Sequence, residues 1–250
     1  MGLIRLNNKL ISLGGKPLKI TDNIVTDGLV LYLDAANPNS YPGTGTIWYD
    51  LSPNKLNASI TSGANFISNG NKSYFTFTAQ SSIYIPNNIL LSPAVNTGQA
   101  TYECWIRGGT YATGRGGLFN KMNEYTVIVS NPSYAPGVNL YSFSDSPWSW
   151  QGFNATHTVS ERTFRTNPDD YSNLVFIRNG TTLTIYANGE IIISEIYGTA
   201  AANTTSPLEI GDGSNVAHFD GQFFNFKMYN KALSHSEVIQ NYNAFKNKYI

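Results

Sequence analysis

Apolar residues in this chain fall in short runs, often at alternate positions, and Gly, Pro, Asn and Ser interrupt them at close intervals. The first clear run, Gly28-Leu-Val-Leu-Tyr-Leu33, stops at Asp34 and the turn-rich Asn37-Pro-Asn-Ser40. Similar β-rich stretches follow at 74–77, 82–85, 100–107, 117–120, 125–130, 138–143, 171–178, 183–187, 190–196, 208–210 and 221–229. Many short strands with such punctuation predict a sandwich or barrel. The strongest local signal spans 173–196, where Asn179-Gly180 and Asn188-Gly189 each separate β-rich runs. Asn-Gly supplies the positive φ angles of a type I′ turn, whose twist matches its flanking strands, so a three-strand antiparallel meander is expected here.

Helical spacing shows at the C-terminal end. Ser234-His-Ser-Glu237 is a capping box, in which hydroxyl and carboxylate satisfy each other's free backbone N–H groups. Val238, Tyr242, Phe245 and Tyr249 then fall on one helical face, and Lys246 and Lys248 suit the negative end of the helix dipole. A helix over 234–249, packed by its aromatic stripe, is predicted. At the other end, residues 1–26 alternate apolar pairs such as Leu3-Ile4 and Leu10-Ile11 with Asn, Lys and Gly, and Pro17 interrupts them. This reads as an extended N-terminal arm before a single domain over 27–250. So polar a segment gains too little from burial to order itself, and contact with a neighbouring subunit is its expected role.

A chain of 250 residues suits one β sandwich, large enough to bury roughly 70–75% of its unfolded surface without covalent staples. The single cysteine, Cys104, agrees, since it has no partner for an internal disulfide. Lys plus Arg and Asp plus Glu each total 16, and only 13% of residues are charged, against about 25% in an average domain. Neutrality removes the electrostatic footprint of nucleic-acid binding and of adhesion to anionic membranes. No stretch approaches the ~18 apolar residues of a membrane-spanning helix. The first residues also lack the apolar run of roughly 7–15 that a signal peptide needs. The expectation is a soluble protein made in the cytoplasm of its cell without export. Asn-x-Ser/Thr triplets at Asn57, Asn71, Asn154, Asn179 and Asn203 would accept glycans in a secreted eukaryotic protein, but abundant Asn and Thr account for them.

Three stretches together resemble a known family. Gly28-Leu-Val-Leu-Tyr-Leu-Asp-Ala-Ala-Asn-Pro-Asn-Ser-Tyr41 with Trp48-Tyr-Asp50-Leu51-Ser52, the turn Tyr186-Ala-Asn188-Gly189, and Phe219-Asp-Gly221 with Tyr229-Asn-Lys-Ala-Leu-Ser234 are similar to the concanavalin A-like, laminin G-like domains of phage and large-virus particle proteins. The resemblance covers roughly residues 27–245 with a variable middle. It implies an all-β, two-sheet antiparallel jelly-roll sandwich. Trp48 and Tyr229 are large enough to fill the gap between the sheets, and Gly221 permits a tight start to its strand. Such motifs mark a fold; activity must be argued from a site.

Glycanases on this fold resemble one another in an acidic strand whose alternate carboxylates project to one face about 5 Å apart. Glu103, in Tyr102-Glu-Cys-Trp-Ile-Arg107, has no such partner, and Glu209-Ile-Gly-Asp212 has the wrong alternation and a glycine turn. Cys104 sits within a strand with no flanking His, which makes it a structural thiol. His157, His218 and His235 are scattered without the spacing of zinc ligands. Laminin G-like domains often hold calcium at the sandwich rim, and Asp212, Asn215 and Asp220 share a loop that could supply hard oxygen ligands. Their spacing matches no EF-hand, and Asp and Asn are also ordinary turn formers. In Ser144-Asp-Ser-Pro-Trp-Ser-Trp-Gln-Gly-Phe153, Trp148, Trp150 and Phe153 offer planes that stack on sugars, with Asp145 and Gln151 placed to bond hydroxyls. The same loop also reads as a plug for the sandwich edge or a subunit contact.

These readings describe a non-enzymatic virus-particle protein, of bacteriophage type, whose lectin-like sandwich serves assembly and glycan or host-surface adhesion. Its expected setting is the virion, as an oligomer or part of a larger assembly, with other virion subunits held through residues 1–26. A free carbohydrate-binding lectin is the alternative and an endoglycanase a distant third; the polar arm favours the particle, since a free lectin has no need of it. With no paired carboxylates, the purified protein is expected to release no reducing ends from β-glucans or other common polysaccharides. Turnover abolished by a single Glu→Gln change would refute this reading.

Overall fold

A computed structural model of the chain describes residues 3–6, 9–13, 16–17, 23–78, 81–108, 115–121, 124–130, 138–141, 162–165, 170–196, 204–211 and 218–250. In chain order the strands are β1 (Leu3–Leu6), β2 (Lys9–Leu13), β3 (Lys16–Pro17), β4 (Leu29–Asp34), β5 (Ile47–Trp48), β6 (Ala58–Ile60), β7 (Ala64–Ile67), β8 (Tyr74–Phe77), β9 (Ile83–Ile85) and β10 (Gln99–Gly108). They continue with β11 (Arg115–Lys121), β12 (Tyr125–Ser130), β13 (Val138–Tyr141), β14 (Arg162–Arg165), β15 (Ser172–Asn179), β16 (Thr182–Ala187), β17 (Glu190–Ile196), β18 (Leu208–Ile210) and β19 (Gly221–Tyr229). Helix α1 is the single turn Pro93–Thr97, and α2 is His235–Tyr249.

Two antiparallel eight-stranded sheets make the sandwich. One runs β17-β16-β15-β10-β19-β8-β7, with β4 also pairing β19; the other runs β14-β13-β12-β11-β18-β9-β6-β5. Strands β1, β2 and β3 pair with one another in a small antiparallel sheet. The two-sheet jelly roll with a C-terminal helix is the architecture that the sequence predicts. Strands β5, β6 and β7 were not predicted: they are short, lie among Gly, Asn and Ser, and have few apolar residues to reveal an alternation. Helix α1 was not predicted either. Pro93 at its start and the left-handed Gly98 at its end, φ 70°, are ordinary helix punctuation, but five residues show no periodicity.

The 173–196 meander forms as expected, with one difference in its turns. Asn188 and Gly189 both have positive φ, 53° and 86°, as a type I′ turn requires. At the first turn Asn179 ends β15 and only Gly180 has positive φ, 59°. The loop is therefore Gly180-Thr181, with the glycine first as in a type II′ turn.

Central strand β10 is buried on both faces, from Ala100 to Ile106. Tyr102, Cys104 and Ile106 point between the sheets with Phe119, Phe176, Phe223, Phe226 and Met228. The opposite face packs under α2, where Trp105 and Phe224 meet Phe245 and Tyr249. A bulge in β19 makes this two-sided burial work. Trp105 pairs with Asn225 and Ile106 with Phe223, leaving Phe224 extra, so Phe223 and Phe226 both reach the inter-sheet core while Phe224 turns to the helix. The same parity puts Tyr229 under α2 with Val25, Val238 and Leu233. It does not fill the gap between the sheets, as its size had suggested; Trp48 does, its ring tilted against Phe75 at 4.7 Å.

The other recurring motif residues are structural knots. Asp50 is 2% exposed; its carboxylate accepts from the backbone N–H groups of Tyr32, Ser52 and Leu56 at 2.8–2.9 Å, and the Ser52 hydroxyl lies 2.6 Å away. The loop after β5 is thus pinned to β4. A Cβ on Gly221 would stand 2.6 Å from the Arg107 carbonyl oxygen, so the tight start predicted for β19 is required by its approach to β10. Ser234 and Glu237 form the predicted capping box. Lys231 and Ser234 bond the Glu237 carboxylate and hold its pKa below the usual value, so this cap weakens as pH falls toward the carboxylate range.

Asp50→Ala should leave one buried and two partly buried backbone donors unpaired and cost about 3 kcal/mol, read as a lower urea midpoint. A loss under about 0.5 kcal/mol, typical of a surface change, would show that the knot contributes little.

Candidate functional site

Two polar groupings stand out among the described residues, one on the surface and one buried. The surface grouping is set by register across the second sheet. Asn120 pairs with Glu209, Glu209 with Tyr84, Tyr84 with Ser59, and Ser59 with Ile47. Their neighbours Phe119, Ile210, Ile83 and Ile85 point into the core, so period-two alternation puts this row on the outer face, where Glu209 and Ser59 are half-buried and Asn120 is fully buried. Tyr84 is 37% exposed. Asn120 Nδ2 donates to Glu209 Oε2 at 3.4 Å. The accessible row from Glu209 to Ser59 crosses two strand spacings, about 10 Å, with an aromatic ring beside carboxylate and hydroxyl groups. That combination suits a polyhydroxylated ligand: ring carbons against the phenol face, hydroxyls to the carboxylate and serine oxygens, with the buried Asn120 amide bonded to Glu209.

The buried grouping lies between the first sheet and α2. Glu103 and Lys227, cross-strand partners on β10 and β19, are both fully buried, with Lys227 Nζ 3.0 Å from Glu103 Oε1. Asn173 Nδ2 donates to the same oxygen at 3.1 Å, and Asn241 Nδ2 of α2 donates to Oε2 at 2.7 Å. Asn241 also accepts from the Val25 N–H and donates to the Tyr229 hydroxyl, which in turn donates to the Val25 carbonyl. Lys227 Nζ further donates to Asn225 Oδ1 at 3.3 Å and lies 4.3 Å from the centre of the Phe245 ring. Glu103 thus has a cation for its partner and no surface from which to meet a substrate. A second buried pair, Lys121 and Glu124 at 2.7 Å, sits near the start of β12; burial raises the Glu124 pKa, opposed by Lys121 and by the Ser92 hydroxyl.

Of the residues expected from sequence, Asp145, Trp148, Trp150, Gln151, Phe153 and His157 lie outside the described residues, as do Asp212 and Asn215. Asp220 is exposed beside β19. No three His, Cys, Asp or Glu residues gather to hold a metal among those described, and no described helix is long and apolar enough to cross a membrane. His235 is exposed and stacks on Tyr186 at the start of α2. Cys104 is fully buried, and burial pushes its thiol well above the ordinary pKa.

Sequence reasoning passed over both groupings. Glu209 lacks the spacing of a carboxylate pair, yet its alternation with Leu208 and Ile210 places it outward. Tyr84 between two isoleucines carried the same signal. For Glu103 and Lys227 no local signal exists, since partners 124 residues apart meet through tertiary packing.

The fold and these surfaces define a sandwich of lectin and glucanase type. Residues 69–239 match the family described as the concanavalin A-like lectin/glucanases superfamily, and the chain belongs to it. Among curated proteins no sequence matches. Solved structures with the same fold include domain 4 of AbnA, a GH43 extracellular arabinanase from Geobacillus stearothermophilus in complex with arabinotriose (TM-score 0.60, 18% identity, covering 86% of this chain and 98% of that one). Trypanosoma rangeli sialidase in complex with the inhibitor DANA gives TM-score 0.61 at 13% identity, over 88% of this chain, which spans only 33% of the sialidase. The botulinum neurotoxin serotype D binding domain gives 0.59 at 13%, covering 88% of this chain and 52% of that one. At these identities the likeness is one of fold.

Lys227→Met would strand the Glu103 carboxylate without its cation and should cost about 3–5 kcal/mol, measured by urea unfolding. Near-wild-type stability would mean that the pair is not buried as described. Cys104 should resist iodoacetamide in the folded protein and react on unfolding.

Proposed function

We propose that this protein binds carbohydrate without hydrolysing it, as a structural or adhesion component of a virus particle. The observation that carries the binding is the accessible row of Tyr84, Glu209 and Ser59, with the buried Asn120 bonded to Glu209. An exposed phenol ring flanked by hydrogen-bonding groups is the chemistry a sugar needs, presented on a rigid sheet. Membership in a lectin and glucanase superfamily supports this reading, and so does the same fold in a domain complexed with arabinotriose. Glu209 has a tyrosine and an asparagine as its cross-strand neighbours, an arrangement for holding a hydroxyl and not for the two-carboxylate displacement of a glycosidase. Placement in a virion rests on the resemblance of the opening and closing motifs to phage and large-virus particle domains, with the arm of residues 1–26 as the attachment to other subunits, except for its end, where Asn23 and Val25 bond α2 of their own chain. The Trp148 and Trp150 loop is proposed as a further contact surface.

A glycan array followed by titration of the best ligand tests the reading. Tyr84→Ala should weaken binding at least about five-fold, or ~1 kcal/mol, with the unfolding midpoint little changed because the ring is on the surface. Unchanged affinity in Tyr84→Ala, or no glycan bound at all, would refute the site.

A further inference from the structure

We propose that Lys227 and Asn173 become joined by an isopeptide bond that Glu103 forms autocatalytically. Three observations lead there. First, an amine, a carboxyl and a carboxamide share one fully buried pocket: Glu103 Oε1 receives Lys227 Nζ at 3.0 Å and Asn173 Nδ2 at 3.1 Å, so nucleophile and electrophile meet on one oxygen. Second, Asn173 Oδ1 is buried without a hydrogen-bond partner, and buried polar atoms are rarely left so. Third, the pocket is lined by Phe245, with Tyr32 also within 5.7 Å of the amine. Enclosed by these rings, with amine and carboxyl both fully buried, the three groups meet away from water.

The chemistry is an amide exchange and needs no other reactant. Lys227 gives one ammonium proton to Glu103. A half-turn of the Asn173 amide brings Oδ1 to Glu103, whose acidic proton then polarises the carbonyl and supplies the partner that Oδ1 lacks. The free amine attacks Cγ, forming the Nζ–Cγ bond. A second proton from Nζ passes through the Glu103 carboxyl to Nδ2 as the Cγ–Nδ2 bond breaks. Ammonia leaves, the third proton stays on the new amide nitrogen, and Glu103 ends protonated. Asn225, whose Oδ1 holds Nζ at 3.3 Å, is a positioning residue. The product ties β19 to β15 across β10, a covalent strut in a chain whose one cysteine cannot supply a disulfide. A sandwich that bears load between a particle and a surface gains resistance to unfolding from such a strut.

Intact mass of the purified full-length protein is the test. The wild type should weigh one ammonia less than its sequence, and digestion should yield a branched peptide joining the strands that hold Asn173 and Lys227. Lys227→Arg, which keeps the charge but lacks a competent amine, should show the full sequence mass, as should Glu103→Gln. Full mass in the wild type overturns the proposal without any variant being needed. A deficit that persists in Lys227→Arg, or that maps to one linear peptide as a succinimide at Asn179-Gly180 or Asn188-Gly189, overturns it equally.

Discussion

A carboxylate and an ammonium enclosed between sheet and helix govern how this chain can fold. Glu103 sits at the middle of β10, whose neighbours are β15 and β19, and α2 closes over it. Placing two charges there costs several kcal/mol each unless every hydrogen-bonding position is filled. The chain fills them with groups from four separate places: Lys227 on β19, Asn173 on β15, Asn241 on α2 and, through Asn241 and Tyr229, the backbone of Val25. Each element must be in register for the charge to be satisfied. The cluster therefore penalises alternatives that a purely apolar interface would tolerate, such as a strand slipped by two residues, and it specifies the seating of the helix.

The rest of the architecture follows from that constraint. With α2 seated on one face, the central strands β10, β15 and β19 of the first sheet are buried on both sides, and the bulge at Phe224 lets β19 serve both without misdirecting a phenylalanine. On the outer face of the second sheet Asn120 is fully buried, while Tyr84 is exposed. There the short strand Ile83-Tyr84-Ile85 places an aromatic ring toward solvent at no cost to the core. Stability and recognition are thus divided between the two sheets.

Much of this division was legible in the sequence. Alternation gave the long strands, Asn-Gly pairs gave the meander, and the capping box at Ser234 gave α2 with Val238, Phe245 and Tyr249 on its buried stripe. Asn241 broke that stripe and was passed over, because helical periodicity registers apolar residues and not an amide that binds a buried carboxylate. Tyr229 was assigned to the wrong side because a bulge reverses parity without leaving a mark in the pattern. Glu103 read as an ordinary strand residue, since a charge buried by distant partners looks locally like one in solvent. Of the recognition surface, Tyr84 and Glu209 were visible as outward positions, but only register shows that they are neighbours.

The central claim is that strand and helix are coupled through the Glu103 carboxylate. A double-mutant cycle with Glu103→Gln and Asn241→Ala, read by equilibrium urea unfolding, measures that coupling directly. Residues sharing a buried hydrogen bond should show a non-additive term of about 1–3 kcal/mol. Losses that add within about 0.3 kcal/mol, as independent sites do, would show that the helix is held by its apolar stripe alone and that the buried carboxylate does not organise the fold.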